Sequence, residues 1–198
     1  MISRTTAAAI IAGGHARRFG GQDKGRLVVE GRPIIVRQME ILQQVAGAIF
    51  IVGHDAARFA DLGVPVYADI VPDAGALGGI YTALSVATGD PVLTIACDMP
   101  FLEAGLLLRL IERSSGFDAA WVRSDRGVEP LVACYRKSAG AIVGGEIASG
   151  RLKAGDLGHV LRIAELGMAD VAEFGPPARV LANVNTPADY ARVQYSAE

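Results

Sequence analysis

A chain of 198 residues with 51% hydrophobic content fits one domain with a large buried core. Its net charge of -2 lacks the basic excess of a nucleic-acid-binding protein, so local cations are read as sites. Two cysteines, Cys97 and Cys134, are too few for a disulfide framework, and no stretch reaches the roughly 18 apolar residues of a membrane span.

The first predicted strand is Ala7–Ala12, too short to serve as a signal-peptide core, and a soluble cytoplasmic protein is expected. Further strands are expected at Ala48–Val52, Val64–Tyr67, Val92–Ala96, Ala119–Val122, Leu131–Tyr135 and Arg179–Ala182. Pro33 suits a helix start, and Ile34, Ile35, Gln38, Ile41, Leu42 and Val45 recur at helical spacing after it. Helices are also expected over Leu77–Ala87, Leu102–Glu112, Ser138–Ile147 and Asp156–Leu166. Thr186 caps a last helix that begins with Pro187. Alternating strands and helices predict a single α/β domain over residues 1–198, a mostly parallel twisted sheet with helices on both faces. Both cysteines are expected as small buried apolar groups.

In such a sheet, ligands bind beyond the carboxyl ends of the strands. After the first strand comes AGGHARRFGGQDKG, where five glycines interleave with Arg17, Arg18 and Lys24. Glycine lets backbone approach a ligand closely, and successive N–H groups can cradle an anion. The loop is not a Walker A motif, because Gly25 follows Lys24 where Ser or Thr is required, and it lacks a dinucleotide G-x-G-x-x-G. Gly53-His54-Asp55, Ala68-Asp69 and Cys97-Asp98 follow the next predicted parallel strands, so four segments should converge. Asp98 suits an Mg²⁺ ligand, since that ion takes oxygen donors and bridges to phosphates; the competing reading is a cap for the following helix. The turn Gly75–Gly79 could present N–H groups to a base or phosphate, or merely lead into a helix. Asn183 and Asn185 could equally be ordinary strand-end and cap residues. His15 and His54 share no metal-ligand spacing with cysteine, and no Ser or Cys has a nucleophile-elbow setting.

These residues resemble the molybdenum cofactor guanylyltransferases, a branch of the nucleotidyltransferases. IIAGGHARRFGGQDKG is similar to their signature L-A-G-G-x-x-x-R-M-G-G-x-D-K-G, and the likeness continues through Gly75–Gly79, Cys97–Pro100, Glu129–Leu131 and Asn183–Asp189. The resemblance implies a Rossmann-like nucleotidyltransferase that moves GMP from GTP to molybdenum-molybdopterin, releasing pyrophosphate. By matching position, it implies that Ile11, Ala12 and Gly13 contact the guanine nucleotide, and Gly14 beside them is expected to bind the nucleotide as well. Lys24 would meet the phosphates, Asp69 the nucleotide, and Asp98 both nucleotide and Mg²⁺. The chain departs from the pattern at Phe19 for Met, Ala76 for Pro, and Gly53 or His54 where the family has Asn.

No enzyme nucleophile is needed for such a transfer. Positioning and charge suffice, with Arg18, Lys24 and Asp98 as the catalytic set. The part up to about residue 100 would hold the nucleotide, and about 129–189 would form the acceptor side, with Arg136, Arg151 or Lys153 meeting the acceptor's phosphate. Transient delivery partners in cofactor biosynthesis fit this role; nucleic acid and membrane do not. A CTP-using or sugar-phosphate nucleotidyltransferase, a GTP-binding partner without turnover, and a hydrolase stay open.

Overall fold

A computed structural model describes residues 3–13 and 24–195. The opening-loop residues Gly14, His15, Arg17, Arg18, Phe19, Gly20, Gly21 and Asp23 therefore lie outside the described residues. Seven strands form the main sheet: β1 (Ser3–Ile11), β4 (Ala46–Val52), β5 (Val66–Tyr67), β6 (Val92–Ala96), β7 (Ala119–Ser124), β8 (Gly127–Tyr135) and β9 (Ile163–Leu166). Their order is β5-β4-β1-β6-β8-β7-β9. β1 runs parallel to β4 and β6, β4 to β5, and β7 to β9, while β8 is antiparallel to both of its neighbours. The chain builds outward from β1 to β5 and then crosses back to β6, so the direction of winding reverses between β1 and β6, where open α/β sheets bind ligands.

The alanine-rich run of β1 is buried on both faces, which explains why it reads as a continuous apolar stretch rather than an alternating one. Ala8 and Ile10 join a layer with α1 (Ile34–Leu42) and α3 (Ala104–Arg113), built on Ile35, Leu42, Leu106 and Leu110. Ala7, Ala9 and Ile11 face the other layer, against α2 (Gly75–Val86) and α4 (Gly140–Ala148), with Leu77, Ile80, Ala83 and Val143. A third cluster gathers Leu27, Val29, Ile34, Phe101, Val184 and Val193, and so brings α7 (Pro187–Tyr195) across to the early chain. Among the described residues no helix is long and apolar enough to cross a membrane.

Two expectations are corrected. Arg179–Ala182 is not a strand: Arg179 and Val180 end the helix α6 (Pro177–Val180), which has Pro177 in its first turn, and Leu181 and Ala182 leave it as turn and loop. Proline fixes a helical φ there, and a segment of four residues is too short for its periodicity to separate strand from helix. Asp156–Leu166 is not a helix: a 3-10 turn covers Ala154–His159, and Ile163–Leu166 leaves it as the edge strand β9. The open side of β7 supplies the hydrogen-bonding partner that overrides the local preference. Between β6 and β7 no antiparallel neighbour was foreseen, yet β8 inserts there as the second arm of a hairpin. A small hairpin, β2 (Val28–Val29) and β3 (Arg32–Pro33), also went unread; Glu30 and Gly31, with φ of 49° and 78°, turn its corner. The short α5 (Met168–Ala172) and 3-10 turns at Ala56–Leu62 and Lys137–Ala139 lie between these elements. Cys134 is buried as expected, whereas Cys97 is half-buried.

Candidate active site at the carboxyl edge of the sheet

Backbone bonds tie four strand ends into one rim. Cys97 N–H donates to the Ile11 carbonyl (3.2 Å), Ala12 N–H to Val52 (2.7 Å) and Gly53 N–H to Tyr67 (2.8 Å). Ala12–Gly13, Gly53–His54, Ala68–Asp69 and Cys97–Asp98 thus step off neighbouring strands at the same edge, as the strand pattern predicted.

One half of the rim centres on Asp69. A Cβ built on Gly13 would lie 3.3 Å from Asp69 Oδ2, so the bare backbone of Gly13 lets that carboxylate come close. His54 Nε2 stands 3.4 Å from the same oxygen. The other oxygen, Oδ1, is buried without a hydrogen-bond partner among the described residues. Burial pushes the Asp69 carboxyl above the usual range, and the His54 imidazole pulls the other way. An orphaned buried acceptor of this kind is uncommon in proteins and fits a group that a ligand's donor completes.

Beneath this half, Gly79 of α2 allows the helix to seat on Ile11; an added Cβ would come within 2.6 Å of Ile11 Cγ2. Isoleucine is branched at Cβ and cannot swing that methyl away freely. Gly79→Ala is therefore expected to destabilise the fold by about 1–3 kcal/mol, the usual cost of overpacking, measured by urea unfolding. An unchanged midpoint would show that β1 and α2 part without strain.

The other half joins residues far apart in sequence. Lys24 Nζ donates to Asn185 Oδ1 at 2.6 Å and to Asp98 Oδ2 at 3.3 Å. Lys24 opens a 3-10 turn, Lys24–Arg26, whose Leu27 N–H bonds back to the Lys24 carbonyl (3.1 Å). Asp98 lies in the turn after β6, and its backbone carbonyl accepts from Val184 N–H at 2.9 Å. Asn185 is presented by the turn before α7. There Asp189 Oδ2 accepts from Thr186 N–H and Thr186 Oγ1 (2.9 Å each), and Asp189 N–H donates to Thr186 Oγ1 (3.2 Å). Thr186 is the cap that the sequence pattern anticipated. Burial raises the Asp98 carboxyl, opposed by the Lys24 ammonium. The competing role for Asp98 as a helix cap is not realised: α3 starts at Ala104 behind Glu103, with no side-chain cap bond.

The structure thus brings Lys24 and Asp98 into contact and sets Ile11, Ala12, Gly13 and Asp69 on the same rim. Gly14 and Arg18 fall outside the described residues. Asn185 was left as a possible strand-end or cap residue, and only its place in the Asn183–Asp189 block marked it. Of the three cations considered for the acceptor, Arg136 pairs with Asp90 at 2.8 Å. It follows Tyr135, which stands opposite Val92, so it lies at the far edge of the sheet from Asp98. Arg151 makes two bonds of 2.7 Å to Glu146. Lys153 pairs with Asp156 at 3.2 Å, and its side chain is 81% exposed. Two residues on, Gly155 packs against Val128 at the start of β8, which puts this segment at the same edge as Asp98.

Mg²⁺ is held by hard oxygens, commonly one or two from protein and the rest from phosphate and water. Asp98 Oδ2 and Asn185 Oδ1 already share one cation, the Lys24 ammonium, so both oxygens face a common point of positive charge. Among the described residues no set of three His, Cys, Asp or Glu forms a cage. The donors fit a magnesium that depends on the substrate's phosphates for the rest of its shell.

Residues 8–155 match the family model described as MobA-like NTP transferase domain. A probable molybdenum cofactor guanylyltransferase from Carboxydothermus hydrogenoformans is 33% identical, over 93% of this chain and 93% of its own. The molybdenum cofactor guanylyltransferase of Shewanella halifaxensis is 32% identical, over 91% and 89%. Among solved structures, molybdopterin-guanine dinucleotide biosynthesis protein A from Archaeoglobus fulgidus superposes with a TM-score of 0.79 at 25% identity, covering 95% of this chain and 96% of that one. A nucleotidyl transferase from Methanothermobacter, at 17% identity and a TM-score of 0.74 over 96% of each chain, shares the fold.

Proposed function

This chain belongs to the MobA-like NTP transferase family, and from that premise we propose that it transfers GMP from GTP to molybdenum-molybdopterin, yielding the guanine dinucleotide cofactor and pyrophosphate. It is a nucleotidyltransferase by family; the choice of base and acceptor is the step proposed here. The observation that carries it is the Lys24–Asp98–Asn185 cluster at the carboxyl edge beside β1, where a triphosphate needs both cation and metal ligand.

In the proposed reaction an oxygen of the acceptor's terminal phosphate forms a bond to the α-phosphorus of GTP. The bond from that phosphorus to the bridging oxygen breaks, and its electrons leave with pyrophosphate. The chain's task is to hold the two phosphates in line and to stabilise the charge that moves onto the leaving group. Lys24 supplies a positive charge at that place, joined in this reading by Arg18. Asp98 and Asn185 would hold Mg²⁺, which would supply further neutralisation of the phosphates. Asp69, whose Oδ1 has no partner among the described residues, accepts a donor from the nucleoside in this reading, and Gly13 leaves room for it to approach. Cys134 is no nucleophile: it is wholly buried, and burial pushes its thiol up to about 12. On the acceptor side, this reading keeps Lys153 as a candidate to meet the acceptor's phosphate.

The test is a binding titration with GTP, CTP and ATP in Mg²⁺, followed by pyrophosphate release with and without molybdopterin. GTP preference and acceptor-dependent release are expected. Preference for CTP would assign a sister transferase, consumption of GTP without acceptor a hydrolase, and binding without release a non-catalytic partner.

A further inference from the structure

Gln38 sits on the buried face of α1, one turn after Ile34 and Ile35 and one before Leu42, and is 1% exposed. Its Nε2 donates to the Ala96 carbonyl at 2.7 Å and to the Met99 carbonyl at 3.0 Å. These two carbonyls bracket Cys97 and Asp98. Ala96 lies one residue past the last β6–β8 pair, Ile95 with Val132, so its carbonyl needs a donor from outside that ladder. Gln38 Oε1 meanwhile is buried with no partner among the described residues. An orphaned acceptor is destabilising, and an apolar side chain of similar volume would avoid it. The amide is thus an expensive way to fill this space, and what it adds over Met or Leu is its pair of N–H donors.

The turn those donors reach is held from two other directions. Cys97 N–H binds the Ile11 carbonyl of β1 (3.2 Å), and the Asp98 carbonyl binds Val184 N–H (2.9 Å), one residue before Asn185. With Gln38 in place, each residue from Ala96 to Met99 has a backbone group tied to another element. The Asp98 side chain then leaves a backbone with little freedom to turn, aimed at Lys24.

We propose that Gln38 is a positioning residue for the transfer reaction, whose amide fixes the Ala96–Met99 turn and through it the direction of the Asp98 carboxylate. This rests on the reading that Asp98 serves the metal and nucleotide. Misplacing a reacting group by about 1 Å can cost roughly 100-fold in rate, and that is the scale at which one hinged carboxylate fails.

Gln38→Met keeps length and volume but removes both donors. Assayed well below its melting temperature, it is expected to lose roughly 10–100-fold in kcat with the KM for GTP within about threefold. The ratio of GTP dissociation constants without and with Mn²⁺ should fall toward that of Asp98→Asn. If Gln38→Met does not fold, Gln38→Asn keeps the amide one methylene short of spanning both carbonyls and should show the same split. A folded variant with lowered melting temperature but unchanged kcat and metal ratio would reduce Gln38 to a packing anchor and overturn the proposal. Full activity in Asp98→Asn would instead overturn the reading of the site on which it stands.

Discussion

Asp98→Asn is expected to lower GMP transfer by at least about 10²–10³-fold while leaving the protein folded. That range is the usual cost of removing one preorganised charge-stabilising group from a reaction centre. Asparagine keeps the shape and removes only the charge, so the loss isolates what the anion does. The local backbone should survive, because the bonds from Cys97 N–H to Ile11 and from Val184 N–H to the Asp98 carbonyl do not use the side chain. Stability should not fall much at neutral pH, and the sign follows from the raised carboxyl. A buried group whose folded pKa lies above its unfolded value binds protons more readily when folded. Its ionised form therefore opposes folding above that pKa, and the opposition fades as the pH falls. Asparagine carries no such opposition; against this stands the ion-pair partner lost to Lys24. Pyrophosphate release with acceptor present reads the activity, and a thermal melt reads the fold. Transfer at wild-type rate in a folded Asp98→Asn would falsify the assignment of this carboxylate to metal and phosphate. In the chain free of metal and nucleotide, the same burial holds the Asp98 carboxyl above the usual carboxylate range.

Lys24→Ala is expected to weaken GTP binding and to slow transfer by roughly 10²–10³-fold, because the ammonium serves two oxygens at once. Its removal leaves Asp98 without its counter-charge and Asn185 Oδ1 without its donor. The Asp98 carboxyl should then rise further, since Lys24 is the influence that opposes its burial. The part of the stability loss that comes from the unpaired Asp98 carboxylate should be present above the Asp98 pKa and should vanish as the pH falls through it. Lys24→Arg is not expected to restore the rate, because a planar fork cannot take the place of a compact ammonium between two oxygens. The double variant Lys24→Ala, Asp98→Asn should lose much less than the two single losses combined, as expected for groups in contact. Fully additive losses, or unchanged GTP affinity in Lys24→Ala, would separate the two residues and count against a shared phosphate site.

Much of the site was legible because it follows from rules local to the chain. An apolar run that ends in glycine predicts a buried strand leading into a close-approach loop, and Ala12–Gly13 sits at such a point. A carboxylate directly after an apolar strand predicts a side chain at the rim, and Asp98 is there. Thr186 and Pro187 announce a helix start, and α7 begins at Pro187. Asn185 was harder, because amides in turns are common and nothing nearby in sequence requires one. Its partner Lys24 is 161 residues away. Gln38 left a faint trace: a polar residue within an otherwise apolar helical face, without any sign of what it would bond.

By itself, then, the sequence determined the α/β class, the parallel core around β1, the position of the glycine-rich loop after it and the carboxylate after β6. Backbone sterics, side-chain periodicity and turn chemistry act over a few residues and are written in neighbours. Only the tertiary structure decided that Ile163–Leu166 pairs with β7 while Arg179–Ala182 does not, that β8 inserts antiparallel between β6 and β7, and that Lys24, Asp98 and Asn185 share one point. A strand's edge accepts whichever segment is brought to it, and a buried charge selects its partner from everything packed around it. Those choices are made by burial across the whole core, so no window of the chain contains them.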